Sequence, residues 1–442
     1  VSAQEDPRKL AERLAEAGGV QHFDTLVIGA GIAGLQAALD LADQGRQVVI
    51  VERQPSIGGA MIGLSKVFPT LDCASCITTP KMAAAAHHGD ITIHTYSEVE
   101  DLVPNENGYT ATIRRKARSV VEDDCIGCRQ CEYVCPAEVP DEFQGGYTSR
   151  RAAYVPFTNA IPQVALIDKD ACTLCGACAR VCPKDCIDYD QKDQLIPIAA
   201  DHVVVATGWQ LTSASSKKQY GADQIANVIS PLQMERLLAP HGPYGRVIRP
   251  ADGKDPASIA WVQCAGSRDR TLGVPYCSRV CCMYAIKQAM LLSGALPFAD
   301  LTIYYMDIRA FGKGYEEFFR SAKAMGIEFV KAKVGRLEEA TDRSVDVHIE
   351  RIDDRGQAEV RNHDMVVLSL GLAPTADAHE LLPLETGEDG FFDVPHPKDA
   401  PCRTSLPHVS VAGTATGPMD IVDTIAEASA AAMEICREGD RG

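Results

Sequence analysis

Hydrophobic positions along this chain fall into blocks that alternate between strand-like and helix-like spacing. After a polar, helix-prone lead from Asp6 to Ala17, FDTLVIGAGIAGLQAALDLADQGRQVVIVER reads as an apolar strand, a glycine turn, an amphipathic helix and a second apolar strand ending at Glu52. Alternating strands follow in ITIHTYSEVEDLVPNENGYTATIRRKAR, and after a cysteine-rich stretch an apolar strand resumes at His202 in DHVVVATGW. Another α/β unit opens near Pro256 with ASIAWVQCAGSRD, continues through helix-like CCMYAIKQAMLLSG and the strand LTIYYMDI, and closes at MVVLSLGLAP. An alanine-rich helix after Asp423 ends the pattern. It predicts an α/β protein with a lead at 1–20, one unit split over 21–118, 199–255 and 376–442, an insertion at 119–198, and another unit at 256–375.

The glycine turn is the first chemical signal. Gly29, Gly31 and Gly34 form G-x-G-x-x-G: a tight turn, a close backbone approach to a pyrophosphate, and a helix packed hard on its strand. Glu52 ends the following strand, where a carboxylate accepts from ribose hydroxyls. Strand, helix and acid together favour dinucleotide binding over a merely structural βαβ turn. Asp201–Trp209 and Val409–Ile421 resemble the two further strand-glycine segments of two-dinucleotide flavoproteins, the last of which carries the flavin's ribityl and pyrophosphate. That resemblance makes the nucleotide FAD. Its candidate contacts are Gly29, Gly31, Gly34, Glu52, Arg53, Gly59, Thr207, Gly208, Gly413 and Asp420.

The insertion holds the densest signal. Cys125, Cys128, Cys131 and Cys135, then Cys172, Cys175, Cys178 and Cys182, each read C-x2-C-x2-C-x3-C-P, the spacing of 4Fe-4S cubanes. Zinc also uses CxxC pairs, but four ligands suffice for it and give no reason for two such runs each ending in proline. Two-cluster ferredoxins, which these runs resemble, send the fourth cysteine of each run to the other cluster. The resemblance therefore implies Cys125, Cys128, Cys131 and Cys182 on one cluster, with Cys172, Cys175, Cys178 and Cys135 on the other.

Composition narrows the class. The 442 residues are 46% apolar and 23% charged, ordinary for a globular protein of several domains. A formal charge of −17 argues against a nucleic-acid surface and is read as solubility. Neither a membrane-length apolar run nor a basic-then-apolar leader is evident, so a cytoplasmic protein without a membrane span is expected. Seventeen cysteines then imply metal or redox use in a reducing compartment.

The unit at 256–375 departs from a nicotinamide domain where it matters. After the strand IAWVQ, a second G-x-G-x-x-G would cradle an NAD pyrophosphate, yet the turn reads Cys264-Ala265-Gly266-Ser267-Arg268. Cys277, Cys281 and Cys282 follow. By spacing alone these four close a third cubane or are simply packing cysteines.

With CAGSRD, PYCSRVCCMYAIK, FPTLDCASCITTPKM and AGTATGPMDIVDTIAEA on view, the chain from about Asp24 onward resembles the A subunit of heterodisulfide reductase and its homologues. The resemblance implies a thioredoxin-reductase-like two-dinucleotide-binding flavoprotein fold with an inserted 2×4Fe-4S ferredoxin domain. It also implies a third, non-standard cluster on Cys264, Cys277, Cys281 and Cys282. It places Lys287 close to the isoalloxazine and Glu235 near the same ring, where charge tunes the flavin; a solvated helix lysine and a surface-helix acid are the plainer alternatives.

The expected function is that of an oxidoreductase component passing or splitting electrons between flavin, clusters and partners. Those partners would be B- and C-like thiol-reducing subunits and an electron-input subunit, and a homodimer is compatible. A glutamate-synthase-like NAD(P)H oxidoreductase and a non-catalytic electron relay are the alternatives. Methanogen A subunits carry an extra N-terminal cluster domain and a C-terminal ferredoxin that these residues lack, so different electron entry and exit routes are expected. Cys73 and Cys76 match a family CxxC: ligands of a fourth cluster completed by a partner, a redox dithiol, or remnants. Cys186, Cys402 and Cys436 fit no cluster pattern and are read as structural.

Overall fold

A computed structural model describes residues 19–375 and 383–439. The polar lead from Asp6 to Ala17 lies outside them. The first apolar block forms β1 (Gln21–Ile28), α1 (Ile32–Ala42) and β2 (Val48–Glu52), with β1 and β2 parallel. Ala33, Gly34, Ala37 and Ala38 give α1 a buried face of small side chains, so the helix can lie close to the sheet. After α2 (Ala74–His87), β3 (Ile91–Thr95) joins β2 in parallel, and β4 (Ser97–Pro104) pairs antiparallel with β5 (Tyr109–Arg115).

Within the insertion, α3 (Gln130–Val134) and α4 (Ala177–Val181) pack on each other. Each is led by a left-handed residue, Arg129 at φ 61° and Gly176 at φ 72°, and followed by an extended cysteine, Cys135 or Cys182. The same turn is built twice. The chain then returns as β6 (Gln194–Val205), whose leading half pairs antiparallel with β5 and whose trailing half runs parallel to β1. Arg115 faces Gln194 across that ladder. Residues 116–193 therefore leave and re-enter at facing positions of one hairpin, and the host sheet keeps its register. The strand begins at Gln194 rather than His202, because only its trailing Val203–Val205 is wholly buried and reads as a continuous apolar run.

After α5 (Pro231–Leu238), the other unit centres on β7 (Ser258–Val262), whose Trp261 is fully buried. Then come α6 (Cys281–Ala295), β8 (Asp300–Tyr305), α7 (Tyr315–Ala324), the antiparallel meander β9 (Glu328–Glu339), β10 (Val345–Arg351) and β11 (Ala358–His363), and β12 (Met365–Leu368). Both units thus join a parallel sheet to a three-stranded antiparallel ribbon. Trp209–Leu211 and Leu372–Pro374 pair antiparallel where the chain crosses between them. The chain rejoins the first sheet at β13 (Val409–Val411), parallel to β6, and α8 (Ile421–Gly439) packs on α1, where Ser429 Oγ donates to Asp40 Oδ2 at 2.6 Å. Among the described residues no helix is long and apolar enough to cross a membrane.

Candidate functional site

The first glycine turn assigns each glycine a separate task. At Gly29 (φ +104°) a Cβ would stand 2.4 Å from the Ala206 carbonyl oxygen, and at Gly34 one would stand 1.9 Å from the Gly29 oxygen. Both close contacts are internal to the fold. Gly31 is different: an added Cβ meets nothing nearer than the Gly59 Cα at 3.9 Å, so its bareness serves the space beyond. That space is a cavity of about 1220 Å³, whose wall includes Gly31, Glu52, Arg53, Gly59, Thr207 and Asp420. Gly208 also lines it, whereas Gly34 and Gly413 sit behind it, Gly413 turning at φ +69° against Ala33.

Polar groups on this wall fit a nucleotide. Glu52 is buried, and its two oxygens accept from Ala30 N at 2.7 Å and Gln54 N at 2.8 Å. Burial lifts its carboxyl above the ordinary value despite those donors. Thr207 has a buried hydroxyl with no hydrogen-bond partner, an orphan that a bound ligand can satisfy. Asp420 accepts from Tyr315 Oη and from Asp423 N, joining α7 to the start of α8.

The cavity reaches into the other unit and ends at a buried ion pair. Lys287 on α6 and Glu235 on α5 are each 2% exposed and bonded to each other; Lys287 Nζ also donates to the Lys66 carbonyl at 2.9 Å. Gln288 Nε2 donates to Glu235 at 2.6 Å, and Ser65 donates to it through Oγ at 2.7 Å and N at 3.0 Å. Burial opposes ionisation of Glu235, but Lys287 and these donors outweigh it and hold the carboxyl below its usual value. Burial lowers Lys287, with Glu235 opposing the shift. Neither side chain is solvated. Their pairing, with Ser65, Lys66 and Gln288, leaves no mark in the sequence, since residues so far apart meet only once α5 docks on α6.

One face of α6 links this pair to the thiols. Tyr284 lines the cavity one turn before Lys287, and its hydroxyl donates to the Leu370 carbonyl at 2.6 Å, the carbonyl that Cys281 Sγ reaches at 3.4 Å. Cys264, at φ 57° in the turn after β7, shares the neighbourhood of Cys277, Cys281 and Cys282. Burial followed by the charges of neighbouring thiols pushes Cys282 up to about 12 despite a backbone donor at Arg309, and likewise raises Cys281. This turn offers no bare cradle: a Cβ on Gly266 would stand 2.0 Å from Thr212 Oγ1, and α6 begins only at Cys281.

In the insertion, Cys125, Cys128, Cys131 and Cys182 line one small cavity of about 20 Å³ together with Cys186. Cys186 is buried, 3.4 Å from Cys182 Sγ. Cys178 is buried, Cys175 is exposed, and Cys172 and Cys135 are intermediate. Among the described residues no three His, Cys, Asp or Glu side chains converge as ligands of a single ion would. Cys73 caps α2, its Sγ accepting from Cys76 N at 3.3 Å; bonding to Cys76 lowers its thiol, while Cys76 lies exposed. Cys402 is buried behind the cavity, 3.3 Å from the Glu427 carbonyl.

Two dinucleotide-type units, with a dicluster module grown from one hairpin, define a thioredoxin-reductase-like iron-sulfur flavoprotein. Thioredoxin reductases of T. acidophilum and Lactococcus lactis share the fold, with TM-scores of 0.55 and 0.52 at 16% and 14% identity. These alignments cover 95% and 94% of this chain, and 99% and 98% of theirs. The profile of the FAD dependent oxidoreductase family matches residues 24–71, and that of the 4Fe-4S dicluster domain matches 124–187.

The chain is a homologue of the heterodisulfide reductase A subunits. It is 45% identical to the iron-sulfur A subunit of the CoB--CoM heterodisulfide reductase of Methanocaldococcus jannaschii over 93% of its length. It is 43% identical over 92% to the A subunit of the H(2):CoB-CoM heterodisulfide,ferredoxin reductase of Methanothermobacter thermautotrophicus. A third relative, the A subunit of the Ferredoxin/F(420)H(2)-dependent CoB-CoM heterodisulfide reductase of Methanosarcina acetivorans, is 42% identical over 93%. The chain spans 63%, 62% and 52% of these relatives' lengths.

Proposed function

We propose that the chain is the electron-distributing FAD and iron-sulfur subunit of a heterodisulfide-reductase-like complex, acting with thiol-reducing and electron-input partners. The observation that carries this is the cavity running from the Gly31 turn to Lys287, whose helix also brings Cys281 and Cys282 beside Cys264. When bound, FAD exchanges two electrons and each cubane one, which makes the flavin a point for gathering or splitting electrons. Gly31 and Gly59 leave room for the pyrophosphate, and Glu52 and Thr207 bond the nucleotide. Lys287, bonded to Glu235, sets its amino group at the inner end of the cavity, where a proton on it favours negative charge.

Three clusters are assigned. Cys125, Cys128, Cys131 and Cys182 hold the first, Cys172, Cys175, Cys178 and Cys135 the second, and Cys264, Cys277, Cys281 and Cys282 the third. Cys73 and Cys76 supply only half of a further ligand set, so a fourth cluster there would take the rest from a partner. The names of the relatives, which pair ferredoxin or F(420)H(2) with a heterodisulfide, support partner-dependent turnover.

The holo-chain alone, reduced with dithionite and desalted, should pass its electrons to artificial one-electron dyes without reducing a disulfide, and cognate subunits should restore that reaction. Lys287→Ala should slow the reconstituted reaction by about tenfold, a barrier change near 1.4 kcal/mol, with iron content unchanged. Because stripping one partner from a buried pair costs about 3–5 kcal/mol, a Lys287→Met, Glu235→Gln double variant serves as the folded control and should slow it similarly. Disulfide turnover by the isolated chain at the rate of the complex would overturn the proposal.

A further inference from the structure

The two cysteine runs are near copies in backbone, but their surroundings differ at individual sulfurs, with Cys186 reaching Cys182 and Tyr189 reaching Cys178. Beyond the second run, the Tyr189 hydroxyl lies 2.9 Å from Cys178 Sγ, and the contact is partly buried. The residue at the same offset beyond the first run is Glu142, whose carboxylate pairs instead with Arg150 at 2.8 Å. Cys131, the counterpart of Cys178, is likewise buried, and the Glu132 backbone N–H beside it bonds to the Arg129 carbonyl at 3.0 Å. The module is therefore asymmetric where its sulfurs are tuned.

A cysteine that ligates iron is a thiolate and carries no proton. In the loaded protein the hydrogen between Tyr189 and Cys178 therefore belongs to the tyrosine, which donates to sulfur. Reduction adds negative charge to a cluster and its thiolates, and a donor aimed at a ligand sulfur stabilises the reduced form more than the oxidised one. We propose that Tyr189 is a positioning residue for electron transfer: its hydroxyl, bonded to Cys178 Sγ, raises the reduction potential of the cluster that Cys178 holds. The hydroxyl acts on the Cys178 cluster and not on its neighbour, so within the module only that cluster responds to its loss. The inference rests on the assignment of clusters to these cysteines, and it extends that assignment from ligand identity to the potential of one cluster.

The test is an EPR-monitored redox titration of the anaerobic holo-chain beside its Tyr189→Phe variant, with iron counted in both. Loss of the hydroxyl should lower one midpoint only. The one-electron reduction constant of that cluster should fall by roughly tenfold, equivalent to about 59 mV, with iron content and the other midpoints unchanged. A ring-fluorinated tyrosine at position 189, studied below its own pKa, keeps the shape and strengthens the donor, so it should move the same midpoint upward. This arm decides the matter should the phenylalanine variant shed its cluster. Unmoved midpoints in fully loaded protein would overturn the tuning role alone. Wild-type protein without iron at the two runs would instead overturn the cluster assignment beneath it.

Discussion

Gly31→Val is expected to leave the protein folded and its flavin site empty. The backbone at residue 31 has φ −74° and extended ψ, which valine adopts without strain, and an added Cβ meets no protein atom closer than 3.9 Å. What the side chain meets is the cavity, at the point where bare backbone has to lie against a pyrophosphate. Overpacking against a contact that cannot retreat costs about 3 kcal/mol, which lowers affinity by about a hundredfold. The check is protein-bound flavin absorbance per chain after desalting, alongside circular dichroism. Gly29→Ala and Gly34→Ala supply the contrast: their Cβ atoms would strike backbone oxygen at 2.4 and 1.9 Å, so they should lose folded protein as well as flavin. Full flavin in a folded Gly31→Val protein would mean that the turn does not face the nucleotide.

Cys281→Ser should remove a whole cluster and spare the flavin. Purified without oxygen, the wild type should hold one FAD and about twelve irons, four for each of three cubanes. The variant should hold about eight, since a cubane missing one of its four thiolates is not retained. Cys402→Ser should keep them all, because that thiol is buried behind the FAD cavity rather than among the other candidate ligands. Wild-type iron near eight with full flavin would mean that Cys264, Cys277, Cys281 and Cys282 hold no cluster.

What the sequence disclosed was local. The glycine fingerprint is legible because Gly29 needs a left-handed φ and Gly34 a close backbone approach, both imposed within one strand-turn-helix unit. The cysteine runs are legible because cluster geometry dictates spacing along a single turn of chain. The less legible features depend on how distant segments dock. Lys287 and Glu235 sit in sequence like ordinary helix charges, and their pairing requires α5 and α6 to be packed together. Arg236, beside Glu235, is buried and donates both to Gln144 in the insertion and to the Gly63 carbonyl, pinning the module to the FAD-binding unit. Nothing in PLQMERLL marks which of its charges will do so. Cys186 falls outside the motif yet reaches Cys182 through the turn that follows Pro183.

Anaerobic mixing of the holo-chain with excess NADH and, separately, NADPH, with the flavin band followed by stopped flow, separates an electron-distributing subunit from a self-contained NAD(P)H oxidoreductase. A nicotinamide needs a bare second turn, and here that turn carries Cys264 and is filled at Gly266 by Thr212. Neither nucleotide should bleach the flavin, whereas dithionite should reduce it together with the clusters. Rapid stoichiometric bleaching by NADH or NADPH would instead make the chain a self-contained NAD(P)H oxidoreductase.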